Sequence, residues 1–164
     1  MKLGLKHLAP YLPYGLSFSV NLNDVRDNFP DELRTLKLAE TNIDLALKTG
    51  KPILRPLSSI TIEEAYELGV IITSEADMED MEVGVGGINL FGEYYTTINY
   101  QDKVDKTFSF VVQFSSIGIA GINPITYEVY TWLFKNHFDV FGLIDRGLAI
   151  DKYEVDSIDV FNKK

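Results

Sequence analysis

The sequence predicts an α+β fold, in which an antiparallel sheet with a central hairpin packs against a C-terminal helix pair and one or two short helices. Apolar and polar residues alternate over 16–22, which is typical of a half-buried strand. Two strand-type segments, 93–100 and 107–114, flank a polar loop and indicate an antiparallel hairpin. Residues 123–137 then show the wide apolar spacing of a covered helix.

Composition predicts one folded domain over residues 1–164. Hydrophobic residues make up 46% of the chain and aromatic residues 12%, which is enough to build a core without disulfides. The absence of cysteine excludes disulfides, thiolate metal sites and thiol nucleophiles. The two histidines, His7 and His137, are too few for a three-histidine zinc site. No cofactor is predicted.

Charge and hydropathy bear on partners and location. The formal net charge of −9 argues against direct binding to nucleic acid or to an anionic membrane. It can attract a basic protein partner, but it is also common on proteins that have none, and solubility alone is the preferred interpretation. No apolar run approaches the roughly 20 residues of a membrane-spanning helix. The N-terminal residues lack the apolar core of a signal peptide, so we expect a cytoplasmic protein.

The N-terminal segment predicts a short helix and two strands. The helix covers 3–8 and precedes the alternating strand at 16–22. A polar loop follows at 23–32. Residues 35–39 alternate as a second strand would, although Leu33 also fits a helical period and leaves that alternative open.

Two helix-start signals follow. Asn42 can cap a short helix that ends at Gly50. Two prolines make 51–57 an extended connection. Thr61 and Glu64 match the capping box, in which the hydroxyl and the carboxylate satisfy each other's backbone donors, so a clearer helix begins there.

Glycines interrupt the next part of the sequence. The β-prone residues 70–73 either extend the preceding helix or form a strand. The glycines at 84, 86 and 87 faintly resemble a phosphate-binding loop, but neither a Gly-Lys-Ser/Thr ending nor a helix follows them. Glycines at a bulge or a tight turn are the better interpretation.

The longest predicted helix begins at Asn123 and Pro124, a suitable N-cap and first residue, and runs to about His137. Its apolar residues form two stripes, one of which includes Trp132. A helix with so wide an apolar surface either lies in the core or lends one stripe to another chain.

Polar residues mark the end of this helix. Asp139 can cap a second, shorter helix that ends at Gly147. His137 and Asp139 could form a base-and-orienter pair, but no nucleophile motif accompanies them, so a helix-end histidine and a cap are the preferred interpretation. The tail at 156–164 is expected to fray or to add an edge strand.

A candidate interaction surface combines tyrosines with the densest acidic stretch of the chain. The stretch partly matches the ligand spacing of a calcium loop, but Met78 and Met81 interrupt it and no glycine stands at the sixth position. A solvated loop is therefore preferred. The surface comprises Glu75, Asp77, Glu79, Asp80, Glu82, Tyr94 and Tyr95. Structural roles, rather than catalytic or metal-binding ones, are predicted for Arg55, Thr61, Glu64, Asn123, Trp132, His137, Asp139 and Gly147.

Three blocks of sequence carry a resemblance. They are LAPYLPYGL at 8–16, KPILRPLSSIT at 51–61 and WLFKNHFDVFGLIDRGLAID at 132–151. In this order they resemble a group of small bacteriophage and prophage proteins of unknown activity. The resemblance implies a phage or prophage origin and transfers no catalytic residues. The region 73–122 does not take part in it, and we interpret that region as an elaboration specific to this chain.

The sequence leaves three functional hypotheses. The first is a non-enzymatic accessory protein that binds and blocks another protein, such as a basic host protein involved in defence or in nucleic-acid handling. The second is a small virion or assembly component, or a homo-oligomer. The third is a small enzyme whose site is assembled from scattered residues, although no nucleophile–base or metal constellation is evident.

Overall fold

The structure is a computed structural model of the whole chain. It describes residues 2–21, 33–37, 43–73, 78–90, 93–104, 108–115, 118–121 and 126–155. Helices and antiparallel sheets both occur there, which confirms the predicted α+β class. The predicted cap residues Asn42 and Asn123, the loop at 23–32 and the tail at 156–164 lie outside the described residues.

The regular elements are short in the first third of the chain and longer in the middle. In chain order they are α1 (Leu5–Leu8), a 3₁₀ helix (Ala9–Tyr14), β1 (Ser17–Asn21), β2 (Leu33–Lys37), α2 (Ile43–Thr49), β3 (Gly50–Leu54), a 3₁₀ turn (Leu57–Ser59), α3 (Ile62–Ile72), β4 (Met81–Leu90), β5 (Glu93–Asp102), β6 (Phe108–Ser115), β7 (Gly118–Gly121), α4 (Tyr127–Lys135) and β8 (Ile150–Asp151).

The chain divides into two compact units, which are interleaved along the sequence. Unit 1 comprises Met1–Arg55, Phe134–Asp139 and Leu143–Lys164, and unit 2 comprises Pro56–Leu133 and Val140–Gly142. The sequence predicts a single domain over 1–164, and the division into two compact units does not test that prediction.

Unit 1 is built on a four-stranded sheet with the order β2-β1-β3-β8. Strand β1 is antiparallel to both β2 and β3, and β3 is parallel to β8. Leu16, Phe18 and Val20 are buried, as the alternating pattern at 16–22 predicts, but Ser19 on the opposite face is buried as well, so β1 is more deeply buried than the predicted half-buried strand. The second predicted strand is also confirmed as β2, and Leu33 belongs to it rather than to a helix.

The extended connection predicted at 51–57 is wrong in one respect, because most of it is a strand inside the sheet. Strand β3 pairs with β1 through residues up to Pro52 and with β8 from Ile53 onward. Proline has no N–H to donate and is rare in inner strands. Here Pro52 is the last β3 partner of β1, opposite Phe18, and the pairing with β8 begins at the next residue, Ile53.

The helix predicted at 3–8 is shorter than expected and changes type. After α1 the chain continues as a 3₁₀ helix that contains Pro10 and Pro13 and ends at Gly15. Gly15 has a φ of 69°, a left-handed conformation that glycine adopts without a steric cost. Gly50 does not end α2 in this way, since it is the first residue of β3.

Unit 2 is built on a second four-stranded sheet, with the order β4-β5-β6-β7 and antiparallel pairing throughout. The hairpin of β5 and β6 confirms the predicted hairpin, and a register shift occurs between Tyr100 and Gln101. The interpretation of the glycines was wrong. Gly84, Gly86 and Gly87 lie within β4, whose pairing with β5 is regular from end to end.

Helix α3 covers the buried face of the unit 2 sheet. It begins at the predicted capping box, where Glu64 N–H donates to Thr61 Oγ1 at 3.2 Å and Thr61 N–H donates to Glu64 Oε2 at 3.0 Å. The helix continues through the β-prone residues to Ile72. The hydroxyl of Tyr100, which is fully buried, donates to the carbonyl of Ala65 at 2.7 Å and ties β5 to the helix.

The prediction of a second helix in the C-terminal pair is wrong. Residues 140–147 form turns rather than a helix. Gly142 has a φ of 61°, and a left-handed residue cannot continue a right-handed helix. Asp139 still acts as a cap, since its two carboxylate oxygens accept from the N–H groups of Leu143 at 2.8 Å and Ile144 at 2.7 Å.

The turn nevertheless ends as predicted. Gly147 has a φ of 66° and donates its N–H to the carbonyl of Ile144 at 2.9 Å. Leu148 N–H donates to the carbonyl of Leu143 at 2.8 Å. These two bonds are those of the Schellman motif, which can therefore close a turn as well as a helix.

Candidate interaction surface

The negative charge of the protein is concentrated in unit 2. Its residues, Pro56–Leu133 and Val140–Gly142, contain twelve Asp and Glu but only two Lys and no Arg, a net charge of −10. The residues of unit 1 contain twelve Asp and Glu and thirteen Lys and Arg, a net charge of +1. The whole acidic excess of the chain therefore belongs to the unit that contains the long hairpin strands.

The described part of the acidic stretch is exposed at the start of β4. Glu79, Asp80 and Glu82 are exposed. Met78 lies between α3 and these residues in the sequence, and its fully buried side chain anchors the segment. Lys103, at the end of β5, holds this segment through the backbone: its N–H donates to the carbonyl of Asp80 at 2.8 Å and its Nζ donates to the carbonyl of Glu79. Glu75 and Asp77 lie outside the described residues.

The tyrosines of the predicted surface are placed away from these carboxylates. In the ladder of β4 and β5, Glu82 is paired with Gln101, whereas Tyr95 is paired with Ile88. Six residues of extended strand separate these two rungs, about 20 Å at roughly 3.3 Å per residue. Tyr94 lies one residue further along. The structure therefore places the acidic and tyrosine parts of the candidate surface toward opposite ends of the strand pair.

A second exposed face of unit 2 was not anticipated. On α3, Ile62 is 58% exposed and Tyr66 is 37% exposed. These two residues are four apart and so lie on one helix face. Glu63 and Glu67, also four apart, are exposed beside them. The interleaved apolar and acidic spacing is present in the sequence, but the sequence analysis used only the capping box of this helix.

One residue of α4 is bonded to this helix face. Trp132 donates its Nε1–H to Glu67 Oε2 at 3.2 Å, which joins the two helices of unit 2 by a solvent-accessible hydrogen bond. Tyr127, near the start of α4, is 80% exposed. Exposed aromatic side chains beside carboxylates provide both contact area and charge, which are properties of protein-binding surfaces.

Local hydrogen bonds lower the pKa of two carboxylates at helix starts in unit 2. The pKa of Glu63 is lowered by a backbone hydrogen bond at the start of α3 and by the side chain of Thr61. The pKa of Glu128 is lowered in the same way by its backbone and by Thr126. Both residues stand in the first turn of a helix, where the exposed N–H groups favour negative charge.

In unit 1, the predicted structural residues bind backbone groups. Arg55 forms a parallel bridge with Phe138, in which its N–H donates to the carbonyl of His137 at 2.9 Å and its carbonyl accepts from Asp139 N–H at 2.8 Å. The guanidinium of Arg55 lies 4.2 Å from the ring centroid of Phe138, a cation–π distance. The Tyr11 hydroxyl donates to the Phe138 carbonyl at 2.7 Å.

His137 lies at the same junction in a left-handed conformation, with a φ of 58°. Its Nε2 is 2.9 Å from the carbonyl oxygen of Tyr14, which acts as the acceptor. Both oxygens of Asp139 accept from backbone N–H groups, so each of the two residues has a backbone partner, as a structural role requires. Burial is the main cause that lowers the pKa of His137.

The part of the chain that the structure describes contains neither a metal-site cluster nor a membrane-spanning helix. Within it, no group of three or more His, Asp or Glu side chains is arranged to hold a metal ion. No helix in the same residues is long and apolar enough to cross a membrane. Comparison of the whole chain with known protein families, with characterised proteins and with solved structures finds no match.

Proposed function

We propose that this protein is a non-enzymatic accessory protein of phage or prophage origin, which binds a basic protein in the cytoplasm of the host through unit 2. The observation that carries the proposal is the separation of charge, with −10 in unit 2 and +1 in unit 1. A net charge distributed for solubility alone would not need to be confined to one unit.

The positions of the resembling blocks support the same division. The block at 8–16 and most of the block at 132–151 belong to unit 1, and the block at 51–61 crosses from unit 1 into unit 2. The region 73–122, which does not share the resemblance, belongs to unit 2. A common scaffold that carries a variable binding region is consistent with a group of proteins directed at different partners.

The chemistry of unit 2 selects the kind of partner. An acidic surface attracts a basic one, speeds the encounter and disfavours acidic competitors. Proteins that handle nucleic acid present basic grooves to phosphate, so a defence or nucleic-acid-handling protein of the host is the target class that we propose. Binding in such a groove would compete with the nucleic acid and inhibit the target.

The experiment is affinity capture from a bacterial host lysate with two charge-matched variants. The unit 2 variant combines Glu79→Gln, Asp80→Asn and Glu82→Gln. The unit 1 variant combines Asp44→Asn, Asp145→Asn and Glu154→Gln. All six side chains are exposed, so each variant removes three carboxylates at little cost to the core.

We expect the wild type and the unit 1 variant to capture the same basic protein, and the unit 2 variant to capture much less of it. Capture should also weaken as salt rises from about 0.05 M to about 0.3 M, because exposed charges are screened. Equal capture by the two variants, or recovery of no specific protein by the wild type, would refute the proposal.

A further inference from the structure

The edge of the unit 2 sheet is formed by a long strand with exposed backbone. In the part of the chain that the structure describes, β4 pairs with β5 and ends the strand order. Gly84, Gly86 and Gly87 are exposed. A glycine has no side chain to cover its backbone, so exposure there means that the peptide groups of the strand reach solvent. We call residues 83–87 of β4 the open edge.

The open edge lacks the features that protect edge strands. Natural proteins block such edges with proline, lysine, a bulge or a very short strand. Strand β4 has ten residues, contains neither proline nor lysine, and pairs with β5 in one register without a bulge. An extended chain could therefore pair with it along several residues.

Space is also available above the open edge. A Cβ atom built on Gly84 would have no heavy atom within 4 Å, and one built on Gly86 would approach only Thr97 Oγ1, at 3.8 Å. Neither glycine has the positive φ that would explain its presence by backbone conformation. The glycines leave a flat strip over which the side chains of an added strand can lie.

The charge next to the open edge selects the occupant. Glu82 is the single charged residue of β4, and the exposed Glu79 and Asp80 precede it. A second copy of the chain would bring another unit of charge −10 to this edge. A segment with lysine or arginine would instead be attracted to it.

We propose that the open edge receives an extended, Lys- or Arg-bearing segment of the partner protein as an added strand of the unit 2 sheet. The inference rests on the proposed function and adds its docking mode. Main-chain hydrogen bonds to an edge strand supply affinity in this mode of recognition, while the flanking charges supply selectivity.

The test uses a fluorescent peptide of alternating lysine and valine as the probe, with fluorescence anisotropy to measure binding. The matched control is the same peptide with alternate backbone amides N-methylated, which keeps every side chain and charge but removes the donors of one edge. We expect the methylated peptide to bind at least about tenfold more weakly, because several hydrogen bonds are lost and about 1.4 kcal/mol corresponds to tenfold. Amide hydrogen exchange should slow at 83–87 only with the unmethylated peptide.

Two protein variants provide a second comparison. Gly86→Lys places a lysine on the open edge, and Thr97→Lys places the same charge opposite it on the inner strand β5. We expect Gly86→Lys to weaken peptide binding more than Thr97→Lys, since only the former adds a blocking residue to the edge. Light scattering on the free protein gives its oligomeric state.

The outcomes separate this inference from the proposed function. Equal binding of the two peptides, no binding of either, or a dimer whose residues 83–87 are already protected would overturn strand addition. If strand addition fails while the charge-matched capture succeeds, unit 2 binds its partner by another surface. If the peptide adds to the open edge but capture fails, the proposed function is wrong and the edge remains a peptide-binding site.

Discussion

Units 1 and 2 contain the same number of carboxylates, twelve each, but thirteen Lys and Arg in one and two in the other. In unit 1, Arg55 and Asp139 are used inside the fold, on an aromatic ring and on backbone N–H groups. In unit 2, Glu79 and Glu82 face solvent. The clearest difference between the two units is therefore the excess of carboxylates over basic residues in unit 2.

The two units also differ in the sequence separation that their buried tyrosine hydrogen bonds span. In unit 1, the Tyr11 hydroxyl binds the Phe138 carbonyl across 127 residues of sequence. In unit 2, the Tyr100 hydroxyl binds the Ala65 carbonyl across 35 residues. Unit 1 therefore depends on joining remote segments of the chain, and the residues at that junction should be the most sensitive to substitution.

The largest effect is expected for Phe138→Ala. Phe138 is fully buried and its ring lies under the Arg55 guanidinium, so truncation leaves a cavity and a charge without its aromatic contact. We expect a loss of about 3–5 kcal/mol in the free energy of unfolding, measured by urea denaturation. The control is Tyr127→Ala at an exposed aromatic residue, which should change stability by less than about 0.5 kcal/mol. Similar losses for the two variants would contradict the junction described here.

An intermediate effect is expected for two matched hydroxyl deletions, Tyr11→Phe and Tyr100→Phe. Both tyrosines are fully buried and both hydroxyls donate at 2.7 Å, so each deletion leaves one buried carbonyl without that donor. We expect each to cost about 1–2 kcal/mol. Native-state amide exchange should speed up mainly in unit 1 for Tyr11→Phe and mainly in unit 2 for Tyr100→Phe. Equal acceleration of both units by either variant would mean that the division has no energetic counterpart.

The smallest effect concerns the pH dependence of unit 1. Burial lowers the pKa of His137, and the charges of Lys152 and Arg55 lower it further, while the hydrogen bond to Tyr14 opposes them. The folded protein therefore favours the neutral ring. The unfolded chain takes up the proton first, so stability is lost as pH falls below the ordinary value of about 6.5.

His137→Asn should reduce that pH dependence. Asparagine tolerates the left-handed backbone of residue 137 but does not titrate. We expect the fall in unfolding free energy between pH 7 and about pH 5.5 to be smaller in the variant than in the wild type. The pKa of His7 is also lowered, mainly by burial. His7 should therefore account for part of the pH dependence of unfolding free energy that remains in the variant. An unchanged slope in His137→Asn would show that its proton is not linked to folding.

Local patterns in the sequence were sufficient to predict the elements that neighbouring residues stabilise. The alternation around Phe18, the hairpin of β5 and β6, and the capping box of Thr61 and Glu64 each follow from neighbouring residues, and each is present. The prediction at β3 failed because Pro52 argues against an inner strand, whereas the structure places this proline opposite Phe18 at the point where pairing passes from β1 to β8.

Tertiary placement explains the remaining differences. The separation of Glu82 from Tyr95 could not be predicted, because it depends on the register of β4 against β5. The regular pairing of β4 likewise overrides the local preference of Gly84 and Gly86 for turns. The separation of charge was accessible only in part: the sequence indicates a dense acidic stretch, but the boundaries of the units are needed to assign the whole excess to unit 2.

The central claim is that unit 2 binds the partner while unit 1 supports it. The most direct measurement is amide hydrogen exchange across the whole chain, with and without the protein captured from the host lysate. We expect protection on binding to be confined to unit 2, with the open edge at 83–87 among the most protected segments. Protection centred on unit 1, at the junction of Tyr11, Arg55 and Phe138, would contradict the account.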